Sequence, residues 1–487
     1  SGDLYNYLSR PRRFGKSLLI DTLQCYFEGK KELFEGLKIM ELEEEWTEYP
    51  VIRLDMSGAG ATAAEIKDYL NLEFSKYEAL YSIKPKETYR ESVRFQVILD
   101  TAYQKTGKQV VVLIDEYDSP LQHSWKTPEH EGCTEVYRSV FSALKLKGNV
   151  LRFVFITGIT KFTQISLFSV LNHLTNISFL PQFAPLCGIT EEEMTVNFAP
   201  ELEALADKME CSIEEAHDKL KTYYDGYHFS DENMTDIYNP FSLLNALSQL
   251  RLRNYWISSG ATSMLNKFVN NMELRLHDFE DCYIDKDTLE TSDVIEGGSE
   301  LFLYQTGYLT IKGFDEDGYS LGFPNEEVRK ALYKAVLPAL TQKDITDIVS
   351  IQSRLMHSMN NGNLEEAKQC MKSLISNVPY SNKKLVSMDM EERYRLIIST
   401  ILNAIGFQVE VEHMLSTGRI DIVASTSRFI YVMELKLANN GGINAAEKQM
   451  IDNGYLKPFL ADDRKVIGVA VELDDMGKGL IDWKEVK

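Results

Sequence analysis

The run Val110-Val111-Val112-Leu113-Ile114 constrains the fold more than any other stretch of the chain. Five consecutive apolar residues, mostly β-branched, suit a strand covered on both faces, as in a sheet with helices on either side. Leu151-Arg152-Phe153-Val154-Phe155-Ile156-Thr157 reads the same way, and Val51–Asp55 is a further strand. Helix-period stretches at 63–77 and 92–105 lie among these runs. Strands alternating with helices imply a parallel, doubly wound sheet over residues 1–185.

At 487 residues the chain exceeds what one ordinary core supports, and three regions are expected. Residues 186–385 are mainly helical, with helix patterns at Ile213–Tyr224, Pro240–Gln249 and 326–339. A helix pair over 350–373 breaks at Asn360-Asn361-Gly362-Asn363, and a short strand pair is expected at 307–311 and 319–323. Residues 386–487 form an α/β unit: a helix over 391–405, strands at 407–413, 419–424 and Phe429–Leu437, a helix over 445–453 and a strand at 465–471.

Acidic residues outnumber basic ones by 73 to 52, giving a formal net charge of −21. That argues against a broad basic coat for nucleic acid but leaves room for a local groove. The six cysteines form no CxxC pair, so reduced thiols and a cytoplasmic setting are expected. No apolar run approaches the ~20 residues of a membrane helix.

The first stretch that points to chemistry is Arg10-Pro11-Arg12-Arg13-Phe14-Gly15-Lys16-Ser17. A Walker A loop reads GxxxxGK(S/T), and here Arg10 stands where the first glycine belongs. The loop follows a short strand over 4–8 and opens a helix over 17–27, so backbone amides and the helix dipole face the same point. Arg13, Gly15, Lys16 and Ser17 are expected to hold a nucleotide, Lys16 on the phosphates and Ser17 on Mg²⁺. The alternative is a basic surface turn. Val110–Ile114 then runs into Asp115-Glu116, a Walker B arrangement in which Asp115 holds Mg²⁺ through water and Glu116 polarises the attacking water. Thr157, at the end of the next strand, is placed to face the γ-phosphate. A plain strand-to-loop turn explains Thr157 equally well.

The second pattern is Asp421-x₁₂-Glu434-Leu435-Lys436. Residues two apart on a strand share a face, so Glu434 and Lys436 point the same way, and a hairpin near 425–428 brings Asp421 beside them. Two carboxylates and an amine gathered at a buried sheet end are costly unless a cation neutralises them. Mg²⁺ would do so and would polarise a phosphodiester. A cross-strand ion pair on a solvated face is the competing reading. Ile430 and Val432 on the same face, and Phe429, Tyr431, Met433 and Leu435 on the other, count against it.

These motifs carry two resemblances. The stretch 8–17, Ile114-Asp115-Glu116-Tyr117-Asp118 and Phe155-Ile156-Thr157-Gly158-Ile159-Thr160-Lys161-Phe162 resemble the AAA-ATPase-like family, as do Tyr224-Asp225-Gly226-Tyr227 and Tyr238-Asn239-Pro240-Phe241-Ser242. That family carries arginine at the first-glycine position, so Arg10 fits it. Thr417-Gly418-Arg419-Ile420-Asp421 and Tyr431-Val432-Met433-Glu434-Leu435-Lys436 resemble the PD-(D/E)XK nuclease superfamily. The resemblance implies that Glu391, in its E-x-x-Y pattern, is a further acidic residue near the metal, and that Gln449 contacts phosphate or the lysine. Helix-start capping for Glu391 and a solvated face for Gln449 are the competing readings. For Arg393, Arg395 and Lys383-Lys384, which sit before or at the start of this unit, a solvated surface is expected rather than backbone contact with nucleic acid.

The sequence thus implies an α/β protein with a P-loop NTPase-type parallel sheet, a helical middle and a restriction-endonuclease-like C-terminal domain. The expected function is ATP binding and hydrolysis joined to Mg²⁺-dependent cleavage of nucleic acid, DNA from the resemblance. The expected catalytic residues are Glu116, Asp421, Glu434, Lys436 and Gln449; Ser17, Asp115, Glu391, Asp421 and Glu434 are expected at metal. The competing readings are a nucleotide-gated switch or binding module with a non-catalytic nuclease fold, and a signalling ATPase that assembles on a trigger, as a homo-oligomer would.

Overall fold

The computed structural model describes residues 3–84, 86, 88–160, 174–256, 265, 282–291, 298–341, 345–376 and 389–486. Lys161, Phe162, Lys383 and Lys384 lie outside the described residues. The chain divides into two compact units, Ser1–Leu252 with Cys282–Pro324, and Arg253–Asp281 with Asn325–Lys487.

The first unit is built on five parallel strands: β1 (Tyr5–Ser9), β2 (Val51–Asp55), β3 (Val110–Asp115), β4 (Leu151–Gly158) and β5 (Thr175–Asn176), in the order β2-β3-β4-β1-β5. Every residue of β3 is buried, which is what its apolar run requires. The connection leaving β1 travels past β4 and β3 to β2, whereas the one leaving β4 crosses β1 to reach β5. The chain therefore departs in opposite directions from the carboxyl ends of β1 and β4. That is the switch point at which open α/β sheets offer a crevice to ligands. Helix α1 (Lys16–Phe27) follows β1, and Ile20 and Phe27 bury against Leu8, Val111, Leu113 and Phe155.

Five further strands belong to this unit. β6 (Ile189–Thr190) pairs with β7 (Ile237–Tyr238), and β8 (Cys282–Asp285), β10 (Gly318–Gly322) and β9 (Thr310–Phe314) form an antiparallel sheet in that order. The strand pair expected from the sequence is thus two-thirds of a three-stranded sheet.

The second unit carries helices α2 (Glu326–Thr341), α3 (Ile345–Asn360), α4 (Leu364–Leu374) and α5 (Met390–Ala404) ahead of a mixed sheet. Its strands run in chain order: β11 (Gln408–Leu415), β12 (Gly418–Ser425), β13 (Phe429–Leu437), β14 (Lys465–Leu473) and β15 (Leu480–Val486). Only β13 and β14 pair in parallel, and helix α6 (Gly442–Asp452) makes the crossover between them. Ala446 and Met450 of α6 pack on Ile430 and Val432. Tyr255 and Trp256 are buried. The backbone N–H groups of Tyr255 and Trp256 both donate to Glu327 Oε1, Trp256 at 2.9 Å.

All six cysteines are free thiols. Among the described residues no helix is long and apolar enough to cross a membrane.

Candidate functional site

The loop of residues 10–15 joins β1 to α1 at the switch point. Gly15 is the residue before α1 and holds a left-handed φ of +75° with no side chain to cap the helix, so the first amides of α1 point outward uncapped. The Lys16 side chain turns back into its own loop: Nζ donates to the carbonyls of Arg10 and Pro11, both at 2.9 Å. Burial pulls the Lys16 ammonium below its ordinary value, against the opposing pull of Asp118, Glu116 and Asp115. Ser17 is exposed.

Arg10 does not join this face. It is 1% exposed, and its guanidinium donates to five carbonyls: Nε to Leu186 (3.2 Å), Nη1 to Ser9 (2.9 Å) and Ser178 (3.0 Å), Nη2 to Phe183 (2.7 Å) and Ala184 (3.3 Å). It also stacks on Phe229, 4.1 Å from the ring centroid. The residue in the first-glycine position therefore ties the loop to the segment after β5. Arg13, at φ +67°, lies over the Phe241 ring at 3.7 Å. Of the four basic residues in this loop, three are spent on carbonyls or a ring: Arg10, Arg13 and Lys16.

At the ends of β3 and β4, Asp115 Oδ1 accepts from the Thr157 hydroxyl at 2.6 Å and from the Glu116 amide at 3.0 Å. Thr157 is fully buried, and its hydroxyl orients Asp115. Glu116 sits at φ +47°, and burial pushes its carboxyl up while Lys16 pulls it down. Asp118 is the anchor that sequence reading passed over. Its Oδ2 accepts from the amides of Ile159 (3.0 Å) and Thr160 (2.6 Å), from the Thr160 hydroxyl (2.7 Å) and from Gln122 Nε2 (2.5 Å). Gly158 is small by necessity: a Cβ there would lie 2.7 Å from both Asp118 Oδ1 and the Tyr117 ring.

In the second unit the ladder between β12 and β13 runs from Ser425↔Ile430 to Ile422↔Met433 and stops. The next pair in that register is Asp421 with Glu434. Where the strands part, the Leu435 amide would lose its ladder acceptor, and Asp421 Oδ2 takes it at 2.8 Å. Asp421 Oδ1 accepts from Arg395 Nη1 at 2.9 Å. Glu434 is 1% exposed; its Oε1 accepts from Lys436 Nζ at 3.0 Å, and its Oε2 is buried with no hydrogen-bond partner. Burial, then the charge of Asp421, pushes the Glu434 carboxyl up to about 7. Burial acts to lower the Lys436 ammonium, but Glu434, Glu391 and Asp421 together hold it above its ordinary value.

Glu391 lies in the first turn of α5, whose start is capped by Asp389, and its carboxylate stands 3.6 Å from Lys436 Nζ. Lys436 thus bridges Glu434 and Glu391. Tyr394, three residues on, donates to the Asp474 carbonyl at 3.1 Å and accepts from the Gly479 amide at 2.9 Å, fixing the β14–β15 turn. Gln449 goes elsewhere. Its amide donates to Tyr455 Oη at 3.1 Å, and the Tyr455 hydroxyl donates to the Arg419 carbonyl at 3.0 Å. No hydrogen bond joins Gln449 to Asp421, Glu434 or Lys436. Among the described residues no group of three or more His, Cys, Asp and Glu side chains is disposed to hold a metal ion.

Arg393 and Arg395 are not on a solvated surface. Arg393 is 5% exposed, and Arg395 spans Asp421 and Glu412, with Nη2 3.0 Å from Glu412 Oε1. The signal for Arg395 was its i,i+4 spacing from Glu391, which sets both on one helix face.

Fold and sites together define an α/β protein with a carboxylate- and lysine-bearing centre in each unit, one at the loop before α1 and one at a split in a mixed sheet. Residues 1–168 match the family model described as a predicted AAA-ATPase, and residues 389–483 match that of the PD-(D/E)XK nuclease superfamily. The chain therefore carries an AAA-ATPase-like domain and a PD-(D/E)XK nuclease superfamily domain. Over 494 residues, 96% of this chain and 92% of the relative, it is 29% identical to an uncharacterized protein in the vnfD 5' region of Azotobacter chroococcum mcd 1.

Proposed function

We propose that this chain binds and hydrolyses ATP at its N-terminal centre and cleaves nucleic-acid phosphodiester bonds, those of DNA foremost, at its C-terminal centre with Mg²⁺. The observation that carries the reading is Glu434: a carboxylate buried at the strand split, one oxygen on Lys436 and the other without a donor. Leaving a buried acceptor unfilled is unfavourable, and a cation would relieve it.

The residues fit such an ion. Asp421 and Glu434 are hard oxygen ligands, and Mg²⁺ is commonly held by one or two carboxylates with water and phosphate completing its shell. Two carboxylates suffice, so Glu391 is better placed as the second acidic partner of Lys436 than as a ligand. The chemistry a bound Mg²⁺ supplies is polarisation of the phosphoryl oxygen and a more acidic water. Lys436 orients that water and counters charge developing on the phosphate, and the Leu435 amide fixes the Asp421 carboxylate. At the first centre the uncapped amides of α1 and Lys16 receive phosphate oxygens, Ser17 and Asp115 serve Mg²⁺, and Glu116 polarises the water.

The test is Mg²⁺- or Mn²⁺-dependent cleavage of DNA and RNA by the wild-type chain and by Glu434→Gln. Cleavage that disappears with the substitution supports the reading; a wild-type chain that cuts neither polymer contradicts it. Two observations favour the nucleotide-gated switch with a silent nuclease fold: Lys16 rests on its own loop's carbonyls, and Asp421 is already ion-paired. ATP binding without cleavage would select it.

A further inference from the structure

Arg395 lies against Asp421, one of the two carboxylates of the metal site proposed above. It reaches from α5 with a guanidinium whose side chain is 13% exposed, and its two terminal nitrogens lie on different strands' carboxylates. Nη1 lies 2.9 Å from Asp421 Oδ1 on β12, and Nη2 3.0 Å from Glu412 Oε1 on β11. Glu412 is unusual in its own right. The β11–β12 register passes from Val411↔Ile422 to His413↔Ile420, leaving Glu412 directly opposite Asp421. Its φ is +57°, a left-handed conformation that a glutamate adopts only under constraint. Arg419 Nη1 also lies 3.0 Å from the same Glu412 oxygen. Side by side at the strand split, Asp421 and Glu412 share one arginine.

The charges explain the arrangement. Glu391, Glu412, Asp421 and Glu434 face Lys436, Arg395 and Arg419, so four acids meet three bases. A divalent ion at Asp421 and Glu434 makes the set positive by one, matched to a phosphodiester anion. An ion held there would also repel the Arg395 guanidinium and weaken its hold on Asp421, since like charges a few ångströms apart are costly. Glu412 is 36% exposed, already in contact with Arg395, and ready to keep it.

We propose that Arg395 is a resident counter-ion, held on Asp421 when the divalent ion is absent and transferred to Glu412 when the ion binds. It is a positioning residue that sets the metal affinity of the site. The inference rests on the metal-site reading above and adds a competitor to it.

The experiment measures Mn²⁺ binding to the full chain by calorimetry or by the free Mn²⁺ resonance, without nucleic acid. Glu434→Gln is the control that identifies the site. Arg395→Gln removes the competitor and is expected to tighten Mn²⁺ binding about tenfold. Glu412→Gln removes the receiving carboxylate and is expected to weaken it by a similar factor. A merely structural arginine would give the opposite sign, because damage to the site loosens binding. Should Arg395→Gln fail to fold, Glu412→Gln carries the test alone: unchanged or tighter binding overturns the proposal. Binding that Glu434→Gln abolishes but that both other variants leave unchanged overturns the counter-ion and spares the metal site. No Mn²⁺ binding by wild type and Arg395→Gln alike overturns both.

Discussion

Glu434 gives Oε1 to Lys436 at 3.0 Å and keeps Oε2 buried without a donor. A sheet built for stability alone would not retain this pair, because a half-satisfied buried carboxylate costs more than an apolar residue of the same size. On the proposed function, the side chain is kept for the cation it binds.

Glu434→Gln should raise the stability of the metal-free chain at neutral pH and remove Mg²⁺-dependent cleavage. Lys436→Ala should reduce cleavage by roughly 10²–10³-fold, the effect of losing one positioned charge in an active site. ATP binding should survive both changes. Urea unfolding without metal, with cleavage assays alongside, separates the effects.

Restoring the usual first glycine of the phosphate loop should harm this protein. Arg10→Gly strips donors from five carbonyls and empties the space beside Phe229, at an expected loss of about 3 kcal/mol or more. Arg10→Lys should not rescue it, since an ammonium cannot reproduce the fork. Denaturant midpoints check both.

Lys16→Ala should weaken ATP binding by roughly ten- to a hundredfold, the weight of a charge-assisted bond to phosphate. Calorimetry with ATP and Mg²⁺ reads it. Nuclease assays without ATP show whether the second centre depends on the first.

Asp225 supplies a pH test. Burial pushes its carboxyl from the ordinary 3.8 up to about 7. Between those values the folded chain holds a proton that the unfolded chain has released, so this group's contribution to stability falls as pH rises through the window. Against Asp225→Asn, which cannot titrate, wild type should lose stability progressively from about pH 4 to about pH 7. Thermal unfolding of the pair across that range gives the difference directly.

Much of this architecture is written locally. β3 is a continuous apolar run, and Glu434 and Lys436 share a face because strands repeat every two residues, so both were legible from sequence. The helix break at 360–363 and the crossover helix α6 were legible for similar reasons. Short or distant features were not. β5, β6 and β7 have two residues each, too few for any period to show, and β15 escaped the reading of the C-terminus. Arg10 finds four of its five partners 168 to 176 residues away, and no local pattern distinguishes a buried arginine from a phosphate-binding one. Gln449 reads as a polar residue on the right helix, but only packing shows that Tyr455 claims it. Arg395 looked like surface charge until the β12–β13 split placed Asp421 beside it.

On the proposed function, the strand split holds a cation between Asp421 and Glu434. A crystal grown with Mn²⁺ and read by anomalous scattering tests it most directly. The expected result is one peak within about 2.3 Å of an oxygen from each carboxylate, absent from Glu434→Gln crystals. A Mn²⁺-saturated structure with no peak there, and Arg395 still on Asp421, would contradict it.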